Sequence, residues 1–255
     1  MLEKPKGKRV SRYKNAPEEG NRRVVTLHPM NENQEHYLEA LKKSNQIIVL
    51  GPSGTGKTFC AATFAANLYA TNKITKIIIT RPNVSVGKSL GALPGSLNEK
   101  AEPLLAPVMD VLVQQLGQGV VETGIKNGNI QLAPLEYMRG RSFKDAFVIA
   151  DEAQNLTVAE FKMLVTRIGE NCKLVLNGDI KQSDIKEQSG LSKAIHLAKK
   201  YNMDASIIEF GLDDIVRGEI CKAWVTAFYE EGLWNEKSPA SDLRGHKWIK
   251  PPRFL

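Results

Sequence analysis

The 255-residue chain carries 42% hydrophobic and 25% charged side chains, the balance of an ordinary globular protein and not of a disordered or fibrous one. Its apolar runs are strand-sized, far below the roughly 20 residues of a membrane helix. No apolar leader core opens the chain, and the three cysteines include no Cys-x-x-Cys, so a cytoplasmic protein with neither a disulfide framework nor a zinc cluster is expected. The net charge of +7 is uneven. Residues 1–23 hold eight Lys/Arg against three Asp/Glu and residues 234–255 hold five against two, while the body between is close to neutral; basic ends of this kind suit contact with a polyanion.

Residues 1–23, where Pro5, Gly7, Pro17 and Gly20 stand among charges, read as a basic flexible arm. Residues 24–233 read as the folded domain, and 234–255, with Pro239, Pro251 and Pro252, as a basic C-terminal extension. Tyr37, Leu38 and Leu41 on a polar background predict a helix over 33–43. A strand at 46–50, a glycine-rich turn and an Ala/Phe/Leu-rich helix running to Tyr69 follow. Short β-branched runs at 76–80, 146–150, 173–176 and 206–210 alternate with helical composition, which predicts an α/β fold with a mainly parallel central sheet flanked by helices. Residues 81–103 are punctuated by so many Gly and Pro that a long ordered loop is expected there.

Gly51, Pro52, Ser53, Gly54, Thr55, Gly56, Lys57 and Thr58 form a complete phosphate loop between a strand and a helix, the context that gives the pattern meaning. The glycines let successive N–H groups converge on phosphates and the helix start adds its positive end. Lys57 would then reach the β- and γ-phosphates of ATP, and Thr58 would bind Mg²⁺. The apolar run 147–150 ends in Asp151 and Glu152. Asp151 at the carboxyl edge of the sheet would hold Mg²⁺ through water, and Glu152 would orient or deprotonate the attacking water. A third strand runs into Gly178-Asp-Ile-Lys-Gln182, where the Gln182 amide is a candidate γ-phosphate sensor and turn chemistry is the alternative.

Together these residues, with the segments Arg81-Pro-Asn-Val, Leu90-Gly-Ala-Leu-Pro-Gly-Ser-Leu-Asn-Glu-Lys100, Ala133-Pro-Leu-Glu-Tyr-Met-Arg-Gly-Arg141 and Thr166-Arg-Ile-Gly169, resemble the PhoH-like family of ATPases over residues 30–231. That family is similar to the nucleotide-binding core of superfamily-one helicases, so the resemblance implies a single RecA-like phosphate-loop NTPase domain. One departure is Lys88, where the family usually has a Glu. By the same resemblance Gln34, 17 residues before Gly51, looks like the glutamine that reads the adenine edge, with a solvated helical Gln as the alternative. Tyr37 is a base-stacking or a core residue. Arg217 corresponds by position to the helicase arginine that contacts the γ-phosphate from the same chain or the adjoining lobe. Arg139 and Arg141 could serve a neighbour's ATP or a nucleic-acid backbone, and Arg167 a subunit contact or a structural ion pair. Arg81, Lys88 and Lys100 would meet phosphates of single-stranded RNA or DNA, although Arg81 before its proline equally suits a loop brace. Helicase motors close two lobes around ATP, whereas this length holds one, so a head-to-tail homo-oligomer, a hexameric ring foremost, is expected. The resemblance thus implies a Mg²⁺-dependent ATPase acting on single-stranded nucleic acid. An ATP-gated assembly switch is the alternative.

Overall fold

The computed structural model describes residues 24–82, 97–135, 138, 140–185 and 188–232; the expected arm and C-terminal extension, Lys88 and Arg139 lie outside them. Helix α1 (Glu32–Lys43) starts where Asn31 accepts a hydrogen bond from the Gln34 N–H, with Glu32 and Glu35 in its first turn and Lys42 and Lys43 in its last. β1 (Gln46–Leu50) leads through the glycine turn into α2 (Lys57–Ala70), whose small buried Ala61, Ala62, Ala65 and Ala66 let the helix lie close on the sheet. β2 (Lys76–Thr80), α3 (Leu97–Leu116), α4 (Gln118–Lys126), β3 (Ile130–Leu132) and β4 (Ala146–Ala150) follow. Then come α5 (Val158–Val165), β5 (Lys173–Gly178), α6 (Gly190–Lys200), β6 (Ser206–Glu209) and α7 (Glu219–Glu230).

The six strands form one sheet in the order β3-β2-β4-β5-β1-β6, with every pairing parallel. Alternate side chains feed two layers. Val49, Ile77, Ile79, Phe147 and Ile149 pack beneath α1, α2 and α3, while Ile48, Ile78, Val148, Leu174 and Leu176 pack beneath α5 and α6. Burial on both faces explains why these strands read as continuous apolar runs. The expected RecA-like architecture, one parallel sheet between helical layers, is what the chain forms.

One expectation needs correction, and one strand was not expected. Residues 97–103, expected in the long loop, open α3, and Pro103 and Pro107 sit inside it. An interior proline costs a helix about 3 kcal/mol. Burying Leu105, Val108 and Leu112, at roughly 1.5–3 kcal/mol each, is of the size that offsets both. Strand β3 gave no sequence signal, because Ile-Gln-Leu is too short for a period; its register against Ile77, Ile78 and Ile79 defines it.

Strand order positions the site. β1, which feeds the phosphate loop, and β4, which ends at Asp151, do not pair with each other; β5 stands between them. The carboxyl end of β5 therefore lies between the two expected chemical groups, and Gly51 N donates to Gly178 O at 3.2 Å.

Candidate nucleotide site

The loop leaves β1 at Gly51 with φ 137°, a conformation L side chains rarely adopt, and a Cβ there would stand 2.6 Å from both Phe210 Cβ and Phe210 O. Thr55 closes the loop by donating its hydroxyl to Pro52 O at 3.1 Å. Gln34 pins it from outside: Nε2 donates to Thr55 O at 3.0 Å and Oε1 accepts from Met30 N at 2.9 Å. Gln34 is thus buried at the loop and is no solvated helical residue. Tyr37 is wholly buried, edge-on to Phe210 with centroids 6.1 Å apart, and its hydroxyl donates to Asn177 Oδ1 at 3.4 Å, which makes it a core residue and not a stacking platform.

A cavity of about 470 Å³ opens beside the loop, lined by Gln34, Lys57, Thr58, Asp151, Glu152, Gln182 and Arg217 among others. The predicted residues are therefore brought to one place. Lys57 Nζ donates to Gly51 O at 2.7 Å and Pro52 O at 2.8 Å. Burial lowers its pKa, while Asp179, Glu152 and Asp151 pull it back up. Thr58 Oγ1 donates to Asp151 Oδ1 at 2.9 Å. Burial and then the charge of Glu152 raise the Asp151 pKa, against the Thr58 hydrogen bond. Arg217 lies on the loop, its Cγ 3.1 Å from the position a Gly54 Cβ would take.

Glu152 sits in the left-handed region at φ 51°, ψ 40°, unusual for a non-glycine residue and a form of strain that collects at functional sites. What holds it was not evident from the sequence. Gln154 Nε2 donates to Glu152 Oε2 at 2.6 Å, and the Arg81 guanidinium stands 3.6 Å from Glu152 Oε1. Gln154 Oε1 in turn accepts from Asp179 N at 3.1 Å, so one carboxamide ties the end of β4 to the end of β5. Gln154 and Asp179 fall within motifs read from the sequence, but only their neighbours were assigned roles. Arg81, expected at a nucleic acid or as a loop brace, lines the cavity beside Glu152.

Behind this wall the Asn177 Nδ2 nitrogen is buried without an aligned hydrogen-bond partner, and the Gln182 carboxamide lies against the Tyr229 hydroxyl. Arg141 and Arg167 lie elsewhere. Arg141 donates to Gln131 Oε1 and rests 5.8 Å over the Phe143 ring. Arg167 donates to Arg141 O at 3.2 Å and Met163 O at 3.4 Å, and among the described residues it pairs with no carboxylate.

The fold and this wall define a RecA-like phosphate-loop domain. A family model described as PhoH-like protein matches residues 26–230, and the chain belongs to that family. It is 38% identical over 234 residues to a PhoH-like protein of Mycobacterium bovis, covering 89% of this chain and 66% of the relative. It is 41% identical over 202 residues to protein PhoH of Escherichia coli (78% and 57%) and 42% identical over 197 residues to a PhoH-like protein of Bacillus subtilis (76% and 61%). The chain thus spans 57% to 66% of the length of these curated relatives. Among solved structures it is similar to the large terminase of a thermophilic bacteriophage, at 14% identity and TM-score 0.49 over 80% of this chain and 50% of that one, a likeness too distant to bear on function.

Proposed function

We propose that the chain is a Mg²⁺-dependent ATPase that hydrolyses the β–γ bond of ATP and couples this to a single-stranded nucleic acid. The observation that carries the reading is the convergence of the phosphate loop, Lys57, Thr58 and Asp151 on one cavity, with Thr58 Oγ1 bonded to Asp151 Oδ1 at 2.9 Å. A glycine-rich turn opening a helix, with an ammonium group beside it, suits the β- and γ-phosphates. Lys57 would exchange its two loop carbonyls for phosphate oxygens, and Arg217, lying on Gly54, would add charge from the same chain. Gln34 keeps a second N–H and a second lone pair for an adenine edge.

The residues fit magnesium. Thr58 and Asp151 offer two adjacent oxygens, and among the described residues no group of three or more His, Cys, Asp or Glu could cage an ion. That is the ligand set of a cation completed by water and phosphate. Bound there, the ion would neutralise charge on the β- and γ-oxygens. Glu152, oriented by Gln154 and Arg81, would hold the attacking water and receive its proton.

The nucleic-acid half of the reading is supported by the basic ends of the sequence. In the same reading Arg139, Arg141 or Arg167 of a neighbouring copy would add charge to the site in a head-to-tail ring of six. Glu152→Gln tests the chemistry. It is expected to keep ATP binding and lose about 10²-fold or more in turnover, and unchanged hydrolysis would assign the water to another group. Turnover of the unaltered chain is expected to rise with single-stranded RNA or DNA. A flat response would leave an ATP-gated switch in place of a motor.

A further inference from the structure

Tyr229 lies outside the cavity, on the last described helix, yet it reaches the wall. Its hydroxyl donates to Asp179 Oδ2, while Asp179 Oδ1 accepts from Lys181 N at 3.0 Å. Lys181 Nζ stands 4.6 Å above the Tyr229 ring, and Gln182 N donates to Asp179 O at 2.9 Å. The turn 179–182 is therefore held from two sides, by its own backbone and by α7. Asp179 also passes the link onward, since its N–H donates to Gln154, whose Nε2 donates to Glu152. A continuous run of hydrogen bonds thus joins a phenol on α7 to the expected water-orienting carboxylate.

The helix that carries the phenol is weakly embedded. Val225 is its buried side chain, whereas Ile220 is 80% exposed and Trp224 63% exposed. An element held by few apolar contacts can shift at low cost, so a contact from such an element onto the γ-phosphate wall suits a coupling device better than a scaffold strut.

We propose that Tyr229 is a positioning residue that fixes the Asp179–Gln182 turn so that the Gln182 carboxamide meets the γ-phosphate, making α7 the element that reads and controls hydrolysis. The inference rests on the ATPase reading. Tyr229→Phe removes the hydroxyl and keeps the ring beneath Lys181. It is expected to lower kcat about tenfold, the size that one hydrogen bond to a charged group commands, with ATP Kd and KM within about twofold and the melting temperature close to that of the unaltered chain. A purely structural phenol would move the melting temperature and leave kcat of the folded fraction alone. Asp179→Ala, which removes the acceptor, is expected to lose kcat at least as far, and adding Tyr229→Phe to it is expected to cost nothing more, because the link is already broken.

Hydrogen exchange supplies a readout other than turnover. Amides of 219–230 are expected to gain protection when Mg²⁺ and a non-hydrolysable ATP analogue bind the unaltered chain, and to respond little in Tyr229→Phe. Unchanged kcat in Tyr229→Phe, multiplicative losses in the double variant, or equal protection in both proteins would each overturn the inference while the ATPase reading stands. An unaltered chain that binds nucleotide without turnover would sink the ATPase reading, and the exchange comparison would then decide the coupling alone. Absence of any nucleotide binding would refute both.

Discussion

Gln154 is 2% exposed and spends its whole carboxamide on two partners, Asp179 N at 3.1 Å and Glu152 Oε2 at 2.6 Å. Gln154→Leu keeps much of the volume and removes both bonds. The turn itself should persist, because the backbone oxygen of residue 154 still accepts from Ser189 Oγ at 2.7 Å and Ser183 Oγ at 3.1 Å. The larger loss falls on the buried Asp179 N–H, left unpaired at a cost of about 1–3 kcal/mol. The Glu152 bond adds little to stability, since that side chain is 38% exposed and water can replace the donor. A net destabilisation of about 2 kcal/mol is expected, about 4–8 °C in melting temperature for a domain of this size. Urea unfolding followed by circular dichroism, with an unchanged slope, would measure it. Turnover should fall further than stability alone explains, by about tenfold or more, because Glu152 at positive φ loses its tether. A midpoint unmoved by more than about 1 °C together with normal turnover would refute the idea that Gln154 joins the two strand ends.

The remaining predictions concern the metal side and the base side. Burial, then Glu152, holds the Asp151 pKa above its unfolded value, so its contribution to stability is fully present below the ordinary carboxylate value of about 3.9 and is lost as pH rises through the raised folded value. Asp151→Asn without magnesium is therefore expected to melt above the unaltered chain near pH 7 and to lose that advantage near about pH 4, while abolishing turnover; a pH-independent difference would disprove the linkage. Gln34→Ala is expected to weaken ATP by about tenfold more than GTP in equilibrium binding. Equal losses would show that the carboxamide serves only to pin Thr55 and Met30.

The fold was legible where burial alone dictates sequence. β1, β2 and β4 are apolar on both faces, and their expected bounds match the observed ones. It was illegible where tertiary packing overrides local preference, as in α3, whose two prolines disguised a helix, and β3, whose three residues acquire their register from β2. The site divides in the same way. Lys57, Thr58, Asp151, Glu152 and Gln182 converge because each ends a strand or starts a helix at one sheet edge, a placement that sequence spacing carries. Asn177, Gln154 and Tyr229 act through partners between 2 and 140 residues away, and no local pattern encodes such pairs. Arg141 and Arg167 show the converse: each stands out within a motif, but Arg141 is bonded to Gln131 and Arg167 to the Arg141 carbonyl, and neither lines the cavity.

The intervening strand explains why the motifs at 151 and 178 operate as one unit. Neighbouring strands lie about 4.8 Å apart, so β1 and β4, each beside β5, are separated by about 10 Å. A side chain leaving β4 must cross the end of β5 to influence the phosphate loop. Asp151 makes the whole crossing to Thr58, while Gln154 crosses as far as Asp179 N, and Gly178 permits it: a Cβ there would stand 2.7 Å from Gln154 Oε1, 2.9 Å from Gln154 N and 2.6 Å from Leu191 Cδ2. Gly178 is buried and its φ is not in the left-handed region, so the demand is for close approach and not for backbone freedom. Any larger residue would push Gln154 off Asp179 and release Glu152 with it, so under the proposed ATPase reading the glycine supports the carboxylate that would orient the water.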